Sequence, residues 1–322
     1  MDIRSAFELT GMTSSATGHA KLTLALALAT PERLTQQWTT TGEPVAWRGQ
    51  LGDGRELTIE RGLHGELLFT YERTARYLLS GDEHTLICAP ERSGHDWQRT
   101  LLGKVLPFVS IWRGHEALHA SAVESPHGVV AVLAPSGMGK TTLALALIER
   151  GWPLFSDDVL VLANDGECVL AHPGTPHMNV EATDGPQSGR LGRTLDDFAT
   201  ERWIAAHTTA TVPRPVALLC ALERRPSFAL AAETVRPSPL PLAPYVLGLP
   251  GDPQRERRRF VLYADLMDGS RLVRLTCGAD DTPSDVAQLV ERIVLEQGPV
   301  ATPREAASRP RGSTRMAVGG VA

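Results

Sequence analysis

The chain lacks any close pair of cysteines. Cys88, Cys168, Cys220 and Cys277 are scattered through its 322 residues. That spacing excludes a zinc knuckle and a disulfide framework, and a reducing cytoplasm is the simplest compartment for such a protein. Positive charge is not in excess either. Lys and Arg total 32 against 37 Asp and Glu, a net charge of −5, and neither half is strongly basic. Nothing in that balance forms an electrostatic footprint for DNA or RNA. Long apolar runs are also missing, so no membrane span is expected. The short run from Leu22 to Leu28 has leucine at every second position, which reads as a half-buried strand and not as a signal sequence. No internal repeat is visible.

What is present divides the chain in three. Residues 1–95 read as a β-rich N-terminal region, with strands near 43–51, 56–60, 66–71 and 85–88. The turn signals Gly52-Asp53-Gly54 and Leu63-His64-Gly65 lie between them. Residues 96–297 carry an α/β pattern. A helix starts at Asp96 with Trp97, Leu101, Leu102, Val105 and Leu106 on one face. Pro107 kinks it, ends it, or restarts it toward Trp112. Strands follow at 117–123, 129–133, 152–162, 168–171 and 215–222. The proline- and leucine-rich stretch 237–250 has no assignment, and 260–264 and 271–276 are two further elements. The last element is an amphipathic helix over 283–297, with Val286, Leu289, Val290, Ile293 and Val294 on one face. Residues 298–322 have no periodicity and read as a disordered tail.

The most informative stretch is Ala134-Pro135-Ser136-Gly137-Met138-Gly139-Lys140-Thr141-Thr142. An apolar strand precedes it and an apolar helix follows. Strand, glycine-bearing turn, Lys-Thr and helix is the layout of a P-loop. The glycines let successive N–H groups converge on one point, and the helix N-terminus adds positive potential there, so the stretch suits a phosphate. Lys140 is then expected to reach the β- and γ-phosphates of ATP, and the Thr141 hydroxyl to take a position on Mg2+. The usual motif opens with glycine, where this chain has Ala134.

Such a turn needs a nearby acid, and the candidates are Asp157 and Asp158. They interrupt an apolar strand, where alternation would send them to opposite faces. One would meet the metal and the other an incoming hydroxyl. The bland alternative is a polar turn between two short strands. His119, inside an apolar strand, is either a satisfied core histidine or a third member of the site.

Together, Leu118–Val123 with His119, the turn Ser136–Thr141 and the run Arg150–Asp158 resemble the kinase domain of HPr kinase/phosphorylase. The resemblance covers roughly residues 115–180. It implies a P-loop kinase core related to phosphoenolpyruvate carboxykinase, behind a β-rich N-terminal region. It also implies an ATP- and Mg2+-dependent serine kinase. Asp157 would be the base, Asp158 would assist at a metal held with Thr141, and His119 would lie beside the transferred phosphoryl group. Thr142 stands where the family has an acid, and the glycine-rich downstream signature of the HPr enzymes is missing. The acceptor implied is therefore a serine on a peptide or small protein, as in the short HPr-kinase-like proteins of lasso-peptide pathways. A homo-oligomer is left open. Two other readings remain: a nucleotide-binding module that only recognises a peptide, and a small-molecule kinase. The run Arg255-Glu256-Arg257-Arg258-Arg259 is either a site for an acidic peptide or a solvated loop. Pro173–His177 is either a loop over the site or a surface turn.

Overall fold

The protein is described here by a computed structural model covering residues 2–12, 23–38, 47–50, 54–182, 190–198, 200–247 and 253–297. The tail from Gly298, and the parts of the expected strands at 22 and at 43–46 and 51, lie outside these residues.

A seven-stranded sheet forms first. Its spatial order is Asp2–Ser5, Thr23–Leu28, Thr85–Pro90, Ala75–Leu79, Leu67–Tyr71, Glu56–Arg61 and Trp47–Gln50. Thr23–Leu28 is parallel to both its neighbours, and the remaining pairs form an antiparallel meander. In Thr23–Leu28 the alternate leucines Leu24 and Leu26 are buried while their neighbours are half-exposed, as the sequence pattern predicts. The strands Asp2–Ser5 and Ala75–Leu79 and the helix Pro31–Gln37 have no counterpart in the sequence reading.

From Asp96 the chain is helical through Trp112. The stretches Asp96–Thr100 and Leu106–Trp112 are joined by a π-helical turn, Leu101–Val105. Pro107 does not stop the helix; it sits in the first turn of the last stretch, directly after the π turn. Trp97, Leu101, Leu102, Val105 and Val109 share one apolar cluster with Leu24, Phe69 and Tyr77 of the seven-stranded sheet. The segment after Asp96 therefore draws its packing from the strands that precede it.

A ten-stranded sheet makes up the second core. Its middle strand, Arg214–Arg224, runs parallel to Gly128–Leu133 on one side and to Arg271–Cys277 on the other. Helices Lys140–Glu149 and Pro283–Gln297 pack on one face. Pro253–Gly269 packs on the other through Tyr263, Leu266 and Met267. Covered on both faces, Gly128–Leu133 is buried along its whole length, and this is why it reads as a continuous apolar run. A three-stranded sheet, His177–Glu181, Glu201–Ala206 and Gly192–Asp197 in that order, was not anticipated. It lies between the two cores. Met178, Val180 and Ile204 join the larger core, and Trp203 joins the cluster under the N-terminal sheet.

Two expected strands are each broken in two. The run over 117–123 is Glu116–Leu118 and Ala120–Ser125, interrupted at His119. The run over 152–162 is Leu154–Ser156 and Leu160–Asn164, interrupted at Asp157 and Asp158. The breaks lie side by side. Ala122 and Val123 pair with Ser156 and Leu154 below them, and Leu118 pairs with Leu160 above. Asp158 takes φ +65°, a left-handed conformation that a non-glycine residue rarely adopts. The alternation argument for the two carboxylates thus fails, because they sit on a bend and not in a strand.

The arginine run is not a loop, and two of its members, Arg255 and Arg259, are turned to a buried acid while Arg257 and Arg258 stay exposed. It lies in the helix Pro253–Gly269. Arg259 Nε donates to Glu116 Oε2 at 2.7 Å, and Arg255 Nε lies 3.7 Å from Glu116 Oε1. Glu116 is 4% exposed, and a buried carboxylate needs such partners. A Glu116→Ala substitution, which removes the buried carboxylate that both guanidiniums face, is expected to lower the unfolding free energy by about 3 kcal/mol, readable in urea titrations.

Candidate functional site

The turn between Leu133 and Lys140 depends on two glycines. Gly137 has φ +75° and Gly139 has φ +97°, conformations open to glycine without strain. A Cβ on Gly139 would also come within 3.2 Å of the Arg224 guanidinium. Ala134 is fully buried beneath the turn, while Pro135, Ser136 and Gly137 are exposed and Met138 packs against the core. Lys140 opens the following helix and is 6% exposed. Its Nζ donates to the carbonyl oxygens of Ala134 at 2.9 Å and Pro135 at 3.2 Å. Burial lowers the pKa of this ammonium, against the pull of Asp158 and Asp157. Thr142 faces a small crevice shared with Gly139, Leu222 and Arg224.

Asp157 joins this turn to the rest of the site. Its Oδ1 accepts from the Ser121 hydroxyl at 2.6 Å and the Thr141 hydroxyl at 3.1 Å. Its Oδ2 accepts from the Asn179 backbone N–H at 3.1 Å. One carboxylate therefore ties together strand Ala120–Ser125, helix Lys140–Glu149 and strand His177–Glu181. Burial, reinforced by the neighbouring Asp158, pushes its pKa up to about 6 despite the three donors.

Asp158 faces a different set of groups. Its Oδ2 accepts from Lys104 Nζ and from Asn179 Nδ2, each at 3.4 Å. Burial raises its pKa, but the charges around it, Lys104 foremost and Lys140 among them, hold the carboxyl below its ordinary range. The adjacent acids thus differ: Asp158 stays charged and Asp157 is poised to take a proton near neutrality. His119 Nδ1 donates to the Asp158 carbonyl at 2.9 Å, which fixes the tautomer and leaves Nε2 as the acceptor. Burial and the nearby Lys140 depress the His119 pKa, so the ring is neutral at pH 7. The Ala120 N–H and the His119 ring both bond the Asp158 carbonyl, and together they support its left-handed backbone.

The structure therefore brings Asp157, Asp158, His119, Lys140 and Thr141 together. It sets Thr141 against Asp157, whereas the sequence reading pairs it with Asp158. Beyond the bend lies a cavity of 270 Å³, bounded by both aspartates, the helix face at Gly103 and Leu106, and Gly174 and Asn179. Pro173, Gly174, Thr175 and His177 line this cavity. The Gly174 N–H bonds the Phe155 carbonyl at 2.8 Å, and a side chain at Gly174 would come within 2.5 Å of Ser156 Oγ. His177 stacks on Trp203 at 4.7 Å and donates from Nε2 to the Thr10 carbonyl at 2.8 Å.

Four residues of this constellation escape a reading by motif: Ser121, Asn179, Lys104 and Arg224. Lys104 had a signal. The chain has three lysines, Lys21, Lys104 and Lys140, in a Lys plus Arg total of 32. The two described ones both bear on Asp158. Lysine is a compact cation that arginine does not replace at such a place. Asn179 had no signal, because its strand belongs to the unanticipated sheet.

No protein-family model matches the chain, and no curated protein matches it significantly. Among solved structures, the Hpr(Ser) kinase/phosphatase from Coxiella burnetii is similar over 56% of this chain and 97% of its own, at 15% identity and a TM-score of 0.33. That likeness is distant and carries no argument about activity. Among the described residues, no helix is long and apolar enough to cross a membrane.

The raised pKa of Asp157 has a signed consequence. Its folded value, about 6, lies above the ordinary 3.8 of an aspartate, so between about pH 4 and 6 the native state holds more protons than the unfolded state. Stability from this group is greatest at the acidic end and falls as pH rises through that window, by at most about 1.4 kcal/mol per pH unit. Urea titrations from pH 4 to 7 are expected to show this slope in the parent and its loss in Asp157→Asn.

Proposed function

We propose that the protein transfers the γ-phosphoryl group of ATP to a hydroxyl, with the acceptor a serine on a peptide or small protein. The observation that carries this is the Asp157 carboxylate, held between the helix that follows the glycine turn and a cavity, with its pKa raised toward neutrality. A base for an alcohol needs such a value and such a position.

The residues fit the nucleotide. The turn offers free backbone at the exposed Ser136 and Gly137, a buried lysine and a helix N-terminus, which together suit phosphate oxygens. For the metal, no group of three or more acidic, histidine or cysteine side chains is arranged to hold an ion among the described residues. A Mg2+ bound mainly through phosphate and water needs only one or two protein oxygens. Thr141 Oγ1 and Asp157 Oδ1, 3.1 Å apart, would be the protein oxygens that hold such an ion. This pair is better suited than Thr141 with Asp158, whose carboxylate is turned to Lys104. Bound there, Mg2+ would neutralise phosphate charge.

The chain's own groups would then act as follows. Lys140 leaves the Ala134 and Pro135 carbonyls and moves onto the β- and γ-phosphates. Lys104, with Asp158, adds fixed charge close to the acceptor side. His119 holds the Asp158 bend in place. The acceptor oxygen forms its bond to the γ-phosphorus as the bridging bond to the β-phosphate breaks, and a nucleoside diphosphate leaves. The hydroxyl proton passes to Asp157 Oδ2, the oxygen not given to the metal. Positioning and charge supply most of the acceleration. The motif resemblance around His119, the turn and the acid pair favours a peptide serine, with ribosomal-peptide precursors of the lasso type as the first class to assay.

Serine-containing peptides incubated with ATP labelled at the γ-phosphate are expected to acquire label. Asp157→Asn should lower the rate by about 10²–10⁴. A variant as fast as the parent would remove Asp157 from the chemistry. Lys140→Ala is expected to weaken ATP binding by about tenfold or more, readable by calorimetry; unchanged affinity would remove the turn from the nucleotide site.

A further inference from the structure

We propose that the 270 Å³ cavity beside the acid pair is the acceptor pocket, and that it takes a neutral alcohol on an apolar body, inserted end-on. This inference rests on the reading of the site as a phosphoryl-transfer centre. The cavity is bounded by Asp157 and Asp158 but by no residue of the glycine turn. Thr141 meets Asp157 from the turn, so a nucleotide and an acceptor can both reach this carboxylate without sharing space. The volume lies just below the roughly 300–1,000 Å³ of ordinary small-molecule sites. It admits a small molecule or one projecting side chain, not a folded surface.

The lining chemistry excludes an anionic acceptor. Arg99, the one arginine or lysine on the wall, is ion-paired with Glu201 and lies over the Phe198 ring. Lys104, near the wall, is engaged by Asp158. The wall histidines His115, His172 and His177 all have pKa values lowered, chiefly by burial. With two carboxylates present and no unpaired cation among the lining residues, a negative ligand is repelled. Leu102, Leu106, Pro107, Val159 and Trp203 supply apolar wall. Asn179 Oδ1 and His177 Nδ1 are acceptors without partners among the described residues, and each sits on a residue of the wall. A ligand that brings O–H or N–H donors suits that set.

Gly103 provides the test. It lines the cavity from the π turn, and a Cβ added there meets nothing within 4 Å. Gly103→Leu is therefore expected to fold and to fill the pocket, while Gly103→Ala adds little. The probes are N-acetylserinamide and 1,3-butanediol, followed by saturation-transfer NMR with Mg2+ and a non-hydrolysable ATP analogue present. The parent and Gly103→Ala should bind at least one of them. Gly103→Leu should lose about tenfold or more in affinity for the probe while keeping the analogue within about twofold. A preference for N-acetylserinamide marks a side-chain acceptor, and a preference for the diol marks a free small alcohol; both fit the pocket. Equal probe binding by parent and Gly103→Leu, or stronger binding of phosphoserine than of N-acetylserinamide, overturns the proposal, as does no binding of either probe by the parent. If the analogue binds to none of the proteins while Gly103→Leu still loses the probe, the pocket stands and the kinase reading falls.

Discussion

The carboxylate of Asp157 is the constraint on which the site is built. A charge at that depth is costly unless donors surround it, and here the donors come from three different elements: Ser121, Thr141 and the Asn179 backbone. Each bond fixes one element against another. The hydroxyl of Thr141 orients the first turn of the helix that begins at Lys140. The Asn179 N–H draws in the small sheet that joins the two cores. Three donors do not fully offset the burial, and the remaining cost appears as a pKa near 6. Strength of attachment and readiness to accept a proton thus have the same origin.

The neighbouring acid shows the complementary solution. Asp158 sits in a left-handed bend, held through its carbonyl by His119 and Ala120. Its side chain meets Lys104, which arrives from the π turn of the helix under the N-terminal sheet. A π turn often marks a functional position, and here it carries Lys104 toward the acid pair and leaves Gly103 on the cavity wall. The N-terminal sheet contributes to the site through this helix, by packing Leu101, Leu102 and Val105.

Residues with a strong local signature were legible in the sequence. The turn from Ala134 to Thr141 declared itself through two glycines and Lys-Thr, and the helix Pro283–Gln297 through a clean apolar stripe. The acid pair and His119 were found as residues, but their backbone was misread. An apolar run continues through both positions, and nothing in the pattern marks a strand that stops and resumes in a different set of pairings. Arg255 and Arg259 were misread because partnership with the distant Glu116 is invisible in one dimension. The strands carrying Asn179 and Trp203 face two cores at once, so their burial follows neither alternation nor a continuous run, and they went unassigned.

In the proposed reaction Asp157 couples the glycine turn to the chemistry through a shared Mg2+. The most direct measurement is calorimetric titration of ATP into the parent and into Asp157→Asn, each with and without Mg2+. Mg2+ is expected to strengthen ATP binding to the parent by about tenfold or more and to have little effect on the variant. Equal Mg2+ dependence in the two proteins would contradict this coupling.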